Sequence, residues 1–487
     1  MDQADTGTIT GVEHLDVLIV GAGLSGIGAA RHLQDRLPHK SYAIFEARDA
    51  IGGTWDLFRY PGVRSDSDMQ TLGYRFKPWP SPKAIADGPA ILEYVRETAR
   101  EAGIEEKIRF GHRVTRASWA NRRWTVSSEG HDDVTCDFLY VCGGYYRYDR
   151  GYLPEFPGYD DFAGEIIHPQ FWPADLDYAG KRVVVIGSGA TAVTLVPALT
   201  DQAAHVTMLQ RSPSYILAIP SEDAIANRLR GLLGERAAYA ITRWKNVAIS
   251  TLIYQLSQRR PKLMRAVLRR GVMRALPPGY DVDTHFNPRY GPWDQRLCLV
   301  PDGDLFNAIS EGRASVVTDV VERFTPTGVR LRSGEELAAD IIITATGLNL
   351  QVIGGIELAV DGEPVAFPEH LAYKGMMLSR VPNFAFTIGY TNASWTLKAD
   401  LVAEYVCRLL AHMERRGYRV ATPVDDDPGV QPVPLLDFEA GYVQRSIHLF
   451  PKGGSRPPWR LGMNYAQDVL TLRHGELEDG ALRFSEA

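Results

Sequence analysis

Two glycine-rich turns, each between an apolar run and a helical pattern, constrain this chain more than any other feature. Residues 16–20 (DVLIV) read as a buried parallel strand, and Gly21-Ala22-Gly23-Leu24-Ser25-Gly26 follows in the spacing G-x-G-x-x-G. A helical pattern continues to about residue 37, and a second strand, residues 41–45, ends at Glu46, about 20 residues beyond the last glycine. Gly21 permits the tight turn, Gly23 lets backbone approach a pyrophosphate, and Gly26 lets helix and strand pack closely. The helix N-terminus, with Ser25 in its first turn, faces the phosphates. Glu46 accepts from ribose hydroxyls and would repel a 2′-phosphate, so this half suits FAD or NAD rather than NADP.

The second turn follows residues 182–186 (RVVVI) and reads Gly187-Ser188-Gly189-Ala190-Thr191-Ala192, the G-x-G-x-x-A variant, with a helix to about residue 199. The next strand, residues 205–209, ends in Gln210-Arg211-Ser212 rather than an acid. The planar donors of an arginine suit a 2′-phosphate and a hydroxyl adds a bond, so this half is expected to prefer NADPH. The fold class expected is α/β: two doubly wound Rossmann-like dinucleotide-binding domains, one for FAD and one for NADPH, with a helical insert in the NADPH domain. The expected division is residues 1–148 and 382–487 for the FAD domain, the latter with a C-terminal lid, and 149–220 and 291–381 for the NADPH domain. Residues 221–290 are the insert.

Composition adds exclusions. A net charge of −6 gives no reason to expect nucleic-acid binding. Cys136, Cys142, Cys298 and Cys407 show no C-x-x-C pair, so neither a zinc site nor a redox dithiol is suggested, and buried reduced thiols in a cytoplasmic protein are expected. The polar N-terminus shows no signal peptide, and no apolar run approaches the ~18 residues of a membrane span. Residues 221–276 are strongly basic, with apolar residues at helical spacing and almost no acids beyond Glu235. Two readings stand: an amphipathic insert packed on the NADPH domain with a solvated basic face, or a membrane-surface patch giving peripheral membrane association.

Residues 162–173 (FAGEIIHPQFWP), between the two fingerprints, carry Phe162, Gly164, His168, Trp172 and Pro173 in the spacing F-x-G-x3-H-x3-W-P. Residues 52–66 carry Gly53, Trp55, Tyr60-Pro61-Gly62 and Asp66 in the spacing [AG]-G-x-W-x4-[FY]-P-[GM]-x3-D. These patterns resemble those of type I Baeyer–Villiger monooxygenases. Over roughly residues 16–484 the chain looks most like the ethionamide-activating branch, through GGTWDLFRYPG, RSDSDM, GSGATAVTLVPAL, PWDQRLCLVP and GYTNASWTLKADLV.

The resemblance implies NADPH reduction of FAD, addition of dioxygen to the flavin, and insertion of one oxygen atom into a ketone to give an ester or lactone, with sulfide oxygenation as a side activity. It places Thr54, Trp55 and Asp66 at the flavin, with Arg64 at the same junction and Val114 near the adenine. It makes Arg296, Asp66 and His168 the catalytic set, with Arg296 hydrogen-bonding the flavin peroxide. Where many relatives carry lysine, this chain has Gln295. Ala345-Thr346-Gly347 resembles the return crossing to the FAD domain. The helix after residue 395 is expected to aim its N-terminus at the flavin, capped by Asn392 or Ser394, and residues 452–465 are a candidate lid. The rival readings are a flavin N- or S-hydroxylase, an NADPH oxidase and a non-catalytic flavin sensor; Trp172 and Arg296 argue against the first two.

Overall fold

The computed structural model describes residues 12–295, 297–436 and 438–486. Its larger sheet has nine strands, with His14–Val20 held in parallel between Tyr42–Phe45 and Val134–Val141. Val17, Leu18 and Ile19 of the central strand are at most 1% exposed, as a strand covered on both faces requires. One face packs Ile27, Leu33, Tyr74, Leu401 and Tyr405; the other packs Phe45, Trp124, Phe384 and Phe450. Burying each of these large side chains contributes roughly 1.5–3 kcal/mol. The late strand Phe384–Phe386 joins Val134–Val141 in parallel, so both ends of the chain build this sheet.

The smaller sheet is parallel throughout, in the order Ala314–Thr318, His205–Gln210, Arg182–Ile186, Ile341–Thr344, Glu165–Ile167. The helices Leu24–Arg36 and Ala190–Leu199 follow the two glycine turns. A parallel strand, a glycine turn and a helix within an α/β sheet therefore occur twice.

Several local expectations are corrected. Residues 108–116 (IRFGHRVTR), which read in the sequence as one later strand, form two: Ile108–Arg109 ends at a turn through Gly111, and Val114–Ala120 starts a separate strand pairing antiparallel with Arg123–Ser128. The chain returns to the larger sheet by Glu357–Val360, which pairs with Val114–Ala120, ahead of the boundary at 382. The segment 452–465 is fastened rather than lid-like. Lys452–Gly454 pairs with Pro432–Pro434, and Trp459, 2% exposed, sits in the core with its ring centroid 5.7 Å from that of Tyr373.

The insert forms the helices Ala224–Leu233, Glu235–Arg259 and Pro261–Ala275. It does not pack on the smaller-sheet domain alone. From the long helix, the buried Tyr239 hydroxyl donates to the Tyr74 carbonyl (3.1 Å), and Arg243 reaches the carbonyls of Gln70 (2.9 Å), Thr71 (3.2 Å) and Gly73 (2.7 Å). The insert is thereby latched to the larger-sheet domain. Its charge is also partly neutralised, with Arg243 paired to Asp400, Lys245 to Asp223 and Arg269 to Asp283.

Candidate active site

Both glycine turns open onto one continuous cavity of about 1210 Å³, lined among others by Gly21, Gly23, Ser25, Glu46, Gly187 and Gly189. Gly21 (φ +102°) and Gly187 (φ +144°) have backbone that L side chains rarely adopt, and a Cβ on Gly26 would lie 1.8 Å from the Gly21 carbonyl oxygen. No side chain caps the helices that begin after Gly23 and Gly189, so their first-turn N–H groups remain available to an anion. Glu46 accepts from the Ala22 amide (2.7 Å) and the Arg48 amide (3.0 Å), and burial pushes its carboxyl up from the ordinary range. Each carboxylate oxygen retains a lone pair for a further donor.

The Gly52-Gly53-Thr54-Trp55 turn is tied to the first fingerprint by the Gly52 amide, which donates to the Ala22 carbonyl (3.1 Å). Thr54, Trp55, Val114 and Asp66 all line the cavity. Thr54 Oγ1 lies 3.3 Å from the Tyr148 hydroxyl, and the Arg48 guanidinium lies 5.9 Å from the centroid of that ring. Asp56, 1% exposed, holds Arg48 in place (2.6 Å). The Tyr60-Pro61-Gly62 turn abuts the second fingerprint helix: a Cβ on Gly62 would lie 2.7 Å from the Ala198 methyl. Arg64 then pairs with Asp304 at the start of the helix Asp304–Ser310 (3.4 Å for one of the two contacts), so it does sit at the domain junction.

In the second half, Ser188 Oγ donates to the Ser212 carbonyl (3.0 Å), fixing the loop that carries Arg211 and Ser212 at the cavity wall. Arg211 is exposed and forms no ion pair among the described residues. An uncapped helix terminus, two glycine turns, a buried acid on one side and an arginine with a serine on the other fit FAD at the first fingerprint and NADPH at the second.

The linking stretch behaves differently from expectation. Neither His168 nor Trp172 lines the cavity. The Gln170 amide donates to His168 Nδ1 (3.2 Å), which leaves the proton on Nε2 to be donated to the Gly347 carbonyl (3.2 Å). Burial lowers the imidazole below its ordinary value, consistent with this neutral form. Gln170 Nε2 donates to the carbonyls of Arg147 (3.0 Å) and Tyr148 (2.8 Å), and Thr346 Oγ1 to that of Tyr152 (2.6 Å). His168 thus helps fasten together the two crossings between domains. A Cβ on Gly164 would lie 2.3 Å from the Asp340 carbonyl oxygen, which explains that glycine by close approach.

Arg296 lies outside the described residues, while its neighbour Gln295 lines the cavity. Trp293 in the same loop has φ +74°, a strained value for a bulky side chain. The helix Trp395–Arg416 does start at the cavity wall, yet neither expected cap forms. The Ser394 hydroxyl pairs with that of Thr71 (2.6 Å), and Asn392 Nδ2 donates to the Met463 carbonyl (2.9 Å). Trp395 itself donates to Ser25 Oγ (2.7 Å), joining this helix to the first fingerprint. Arg445, missed at the sequence level, lines the cavity with its guanidinium 3.4 Å from the Tyr152 ring centroid; no pattern around it marks it out. A second cavity of about 210 Å³ lies between the long insert helix and residues 392–397 and 463–465, and Ala393 borders both cavities.

Residues 18–242 match the family model described as pyridine nucleotide-disulphide oxidoreductase. The chain is 58% identical over 482 residues to the FAD-containing monooxygenase EthA of Mycobacterium tuberculosis, covering 97% of this chain and 98% of that protein. An oxidised steroid monooxygenase bound to NADP superposes with a TM-score of 0.75 at 22% identity, over 97% of this chain and 100% of that one. Cyclohexanone monooxygenase with ε-caprolactone bound gives 0.75 at 20% identity, over 97% and 100%. At these identities the two structures speak to the fold.

Proposed function

The chain belongs to the family of FAD-containing monooxygenases, and from that premise we propose that it consumes NADPH and dioxygen to insert one oxygen atom into a ketone, giving an ester or lactone, with oxygenation of sulfides and thiocarbonyls as a side activity. The observation that carries this reading is the single cavity that both fingerprints share with Asp66. Bound FAD would supply acceptance of hydride from NADPH and activation of dioxygen. The residues divide the remaining work. The first turn and the following helix hold a pyrophosphate, and Glu46 holds a ribose. Thr54 and Trp55 line the flavin end, and Arg64 with Asp304 ties the two domains across it. Asp66 faces the same space, and Arg296 is the proposed positive partner for charge that develops on oxygen. His168 is a positioning residue. The second cavity, where the Asn392 Oδ1 is buried without a partner, is proposed to take the body of the organic substrate, a ketone or a sulfide.

The test is mass spectrometry of products from a mixed ketone and sulfide panel, with NADPH under labelled dioxygen. One labelled oxygen in an ester or lactone is expected. Labelled N- or S-oxides alone, or NADPH loss with no organic product, would turn the assignment to the rival chemistries.

Coenzyme choice gives a second expected result. Arg211→Ala is expected to raise the KM for NADPH by roughly 10- to 150-fold, the size of a lost charge-assisted hydrogen bond, and to leave that for NADH nearly unchanged. Steady-state kinetics with both coenzymes check it; equal use of the two by the unaltered enzyme would remove the role given to Arg211.

A further inference from the structure

We infer that the outer face of the helical insert is a docking surface for an anionic lipid bilayer. Ten of the seventeen large exposed apolar side chains among the described residues lie on its three helices, so this exposure is concentrated rather than scattered. On the helix Glu235–Arg259 they form a stripe: Ile241, Trp244, Ala248 and Leu252 recur at spacings of three and four, all exposed, while Tyr239, Arg243 and Val247 face inward. The helix Pro261–Ala275 repeats the arrangement, with Leu263 and Val267 outward and Met264 and Leu268 buried.

Charge decides what this face meets. Arg259, Arg270 and Arg274 continue the stripes, Arg236, Arg260 and Lys262 are exposed at the ends of the same helices, and none of the six forms an ion pair among the described residues. Residues 221–276 hold twelve basic residues against three acidic ones, a formal +9 on a chain whose total is −6. The rest of the molecule is therefore strongly acidic and is repelled by a negative surface, which leaves the insert as the side that approaches it. A second copy docking through the same face would set these cations against one another. A neutral bilayer would leave them without partners. No described helix is long and apolar enough to cross a membrane, so the insert lies in the headgroup region, apolar stripes inward and cations at the phosphates. The inner side of the long helix, through Ser250, Thr251 and Tyr254, lines the second cavity, placing that cavity about one helix diameter, roughly 10 Å, from the surface.

The experiment is flotation of the FAD-loaded protein with vesicles of phosphatidylglycerol and phosphatidylcholine in equal parts, beside vesicles of phosphatidylcholine alone. Binding is expected only to the first, declining as salt rises. The triple variant Arg259→Glu, Arg260→Glu, Lys262→Glu is expected to lower the partition coefficient by about a hundredfold or more. The pair Leu252→Glu, Leu263→Glu is expected to abolish binding even at low salt. Both are built at exposed positions, and both are expected to keep flavin absorbance and the unfolding temperature. Absence of binding to the anionic vesicles, equal binding to neutral ones, or variants that bind as the parent does would each overturn the inference. Concentration-dependent self-association relieved by Leu252→Glu without lipid would assign the face to a second copy instead.

Discussion

Arg243→Ala is expected to destabilise the protein by about 3–5 kcal/mol, the cost of leaving a buried charge and its partners uncompensated. Arg243 is 4% exposed and Asp400 3% exposed, and their ion pair measures 3.4 Å. The same guanidinium donates to the carbonyls of Gln70, Thr71 and Gly73, the last turn and C-cap of the short helix Met69–Leu72. Those carbonyls have no helical partners and carry the negative end of the helix, so a cation there satisfies both demands. Removal leaves three carbonyls and a carboxylate facing an alanine. Burial alone would raise the Asp400 carboxyl, but His32 and Arg243, with the Arg75 amide, hold it below the ordinary carboxylate range. A carboxyl depressed in the folded state contributes stability that is complete at neutral pH and lost as pH falls through the folded value. The variant is therefore expected to unfold at lower denaturant concentration at neutral pH and to show a smaller additional loss on acidification than the parent. The helix Met69–Leu72 begins just after Asp66, so flavin retention is expected to fall as well. Unfolding within about 1 kcal/mol of the parent would show that Arg243 contributes little net stability.

How far the sequence carried this reading follows from how local each signal is. The two fingerprints, their strands and their helices were legible because a turn, a period and a flanking acid or arginine lie within about 30 residues of chain. Arg243 was not. It looked like one of twelve solvated cations, and its partner Asp400 lies 157 residues away on another helix, so only the tertiary fold reveals it. His168 was recognised as part of a pattern, yet the pattern could not say which way its ring nitrogens turn; the structure gives them to backbone at the crossings and none to the cavity. The tail read as a lid because glycine and proline suggest a loop, but Trp459 and Tyr465 are both buried and anchor it. Asn392 and Ser394 looked like helix caps from their side-chain chemistry, and tertiary partners claimed both. In each case the competition for these groups comes from elsewhere in the chain.

Arg296→Ala is expected to separate coenzyme oxidation from product formation. With FAD bound, negative charge would develop on oxygen during its transfer to the substrate, and such charge needs a fixed positive partner. Arginine suits this position because it stays protonated at any working pH and offers directed donors. The adjoining Gln295 lines the same cavity as Asp66, which supports giving Arg296 that task. Neither fingerprint is touched by the substitution, so the variant is expected to bind FAD and to be reduced by NADPH. Ester formation is expected to fall by about 10²–10³-fold, the range seen when a charge-stabilising donor is removed. NADPH oxidation would continue, with hydrogen peroxide released in place of ester. Arg296→Lys restores charge without the planar fork and is expected to recover only part of the product. The measurement is parallel quantification of NADPH consumed, hydrogen peroxide released and ester formed. If Arg296→Ala still makes ester at near parental rates, with NADPH and product matched, the positive partner has to be sought elsewhere, in Arg64 of the cavity lining or in the bound coenzyme.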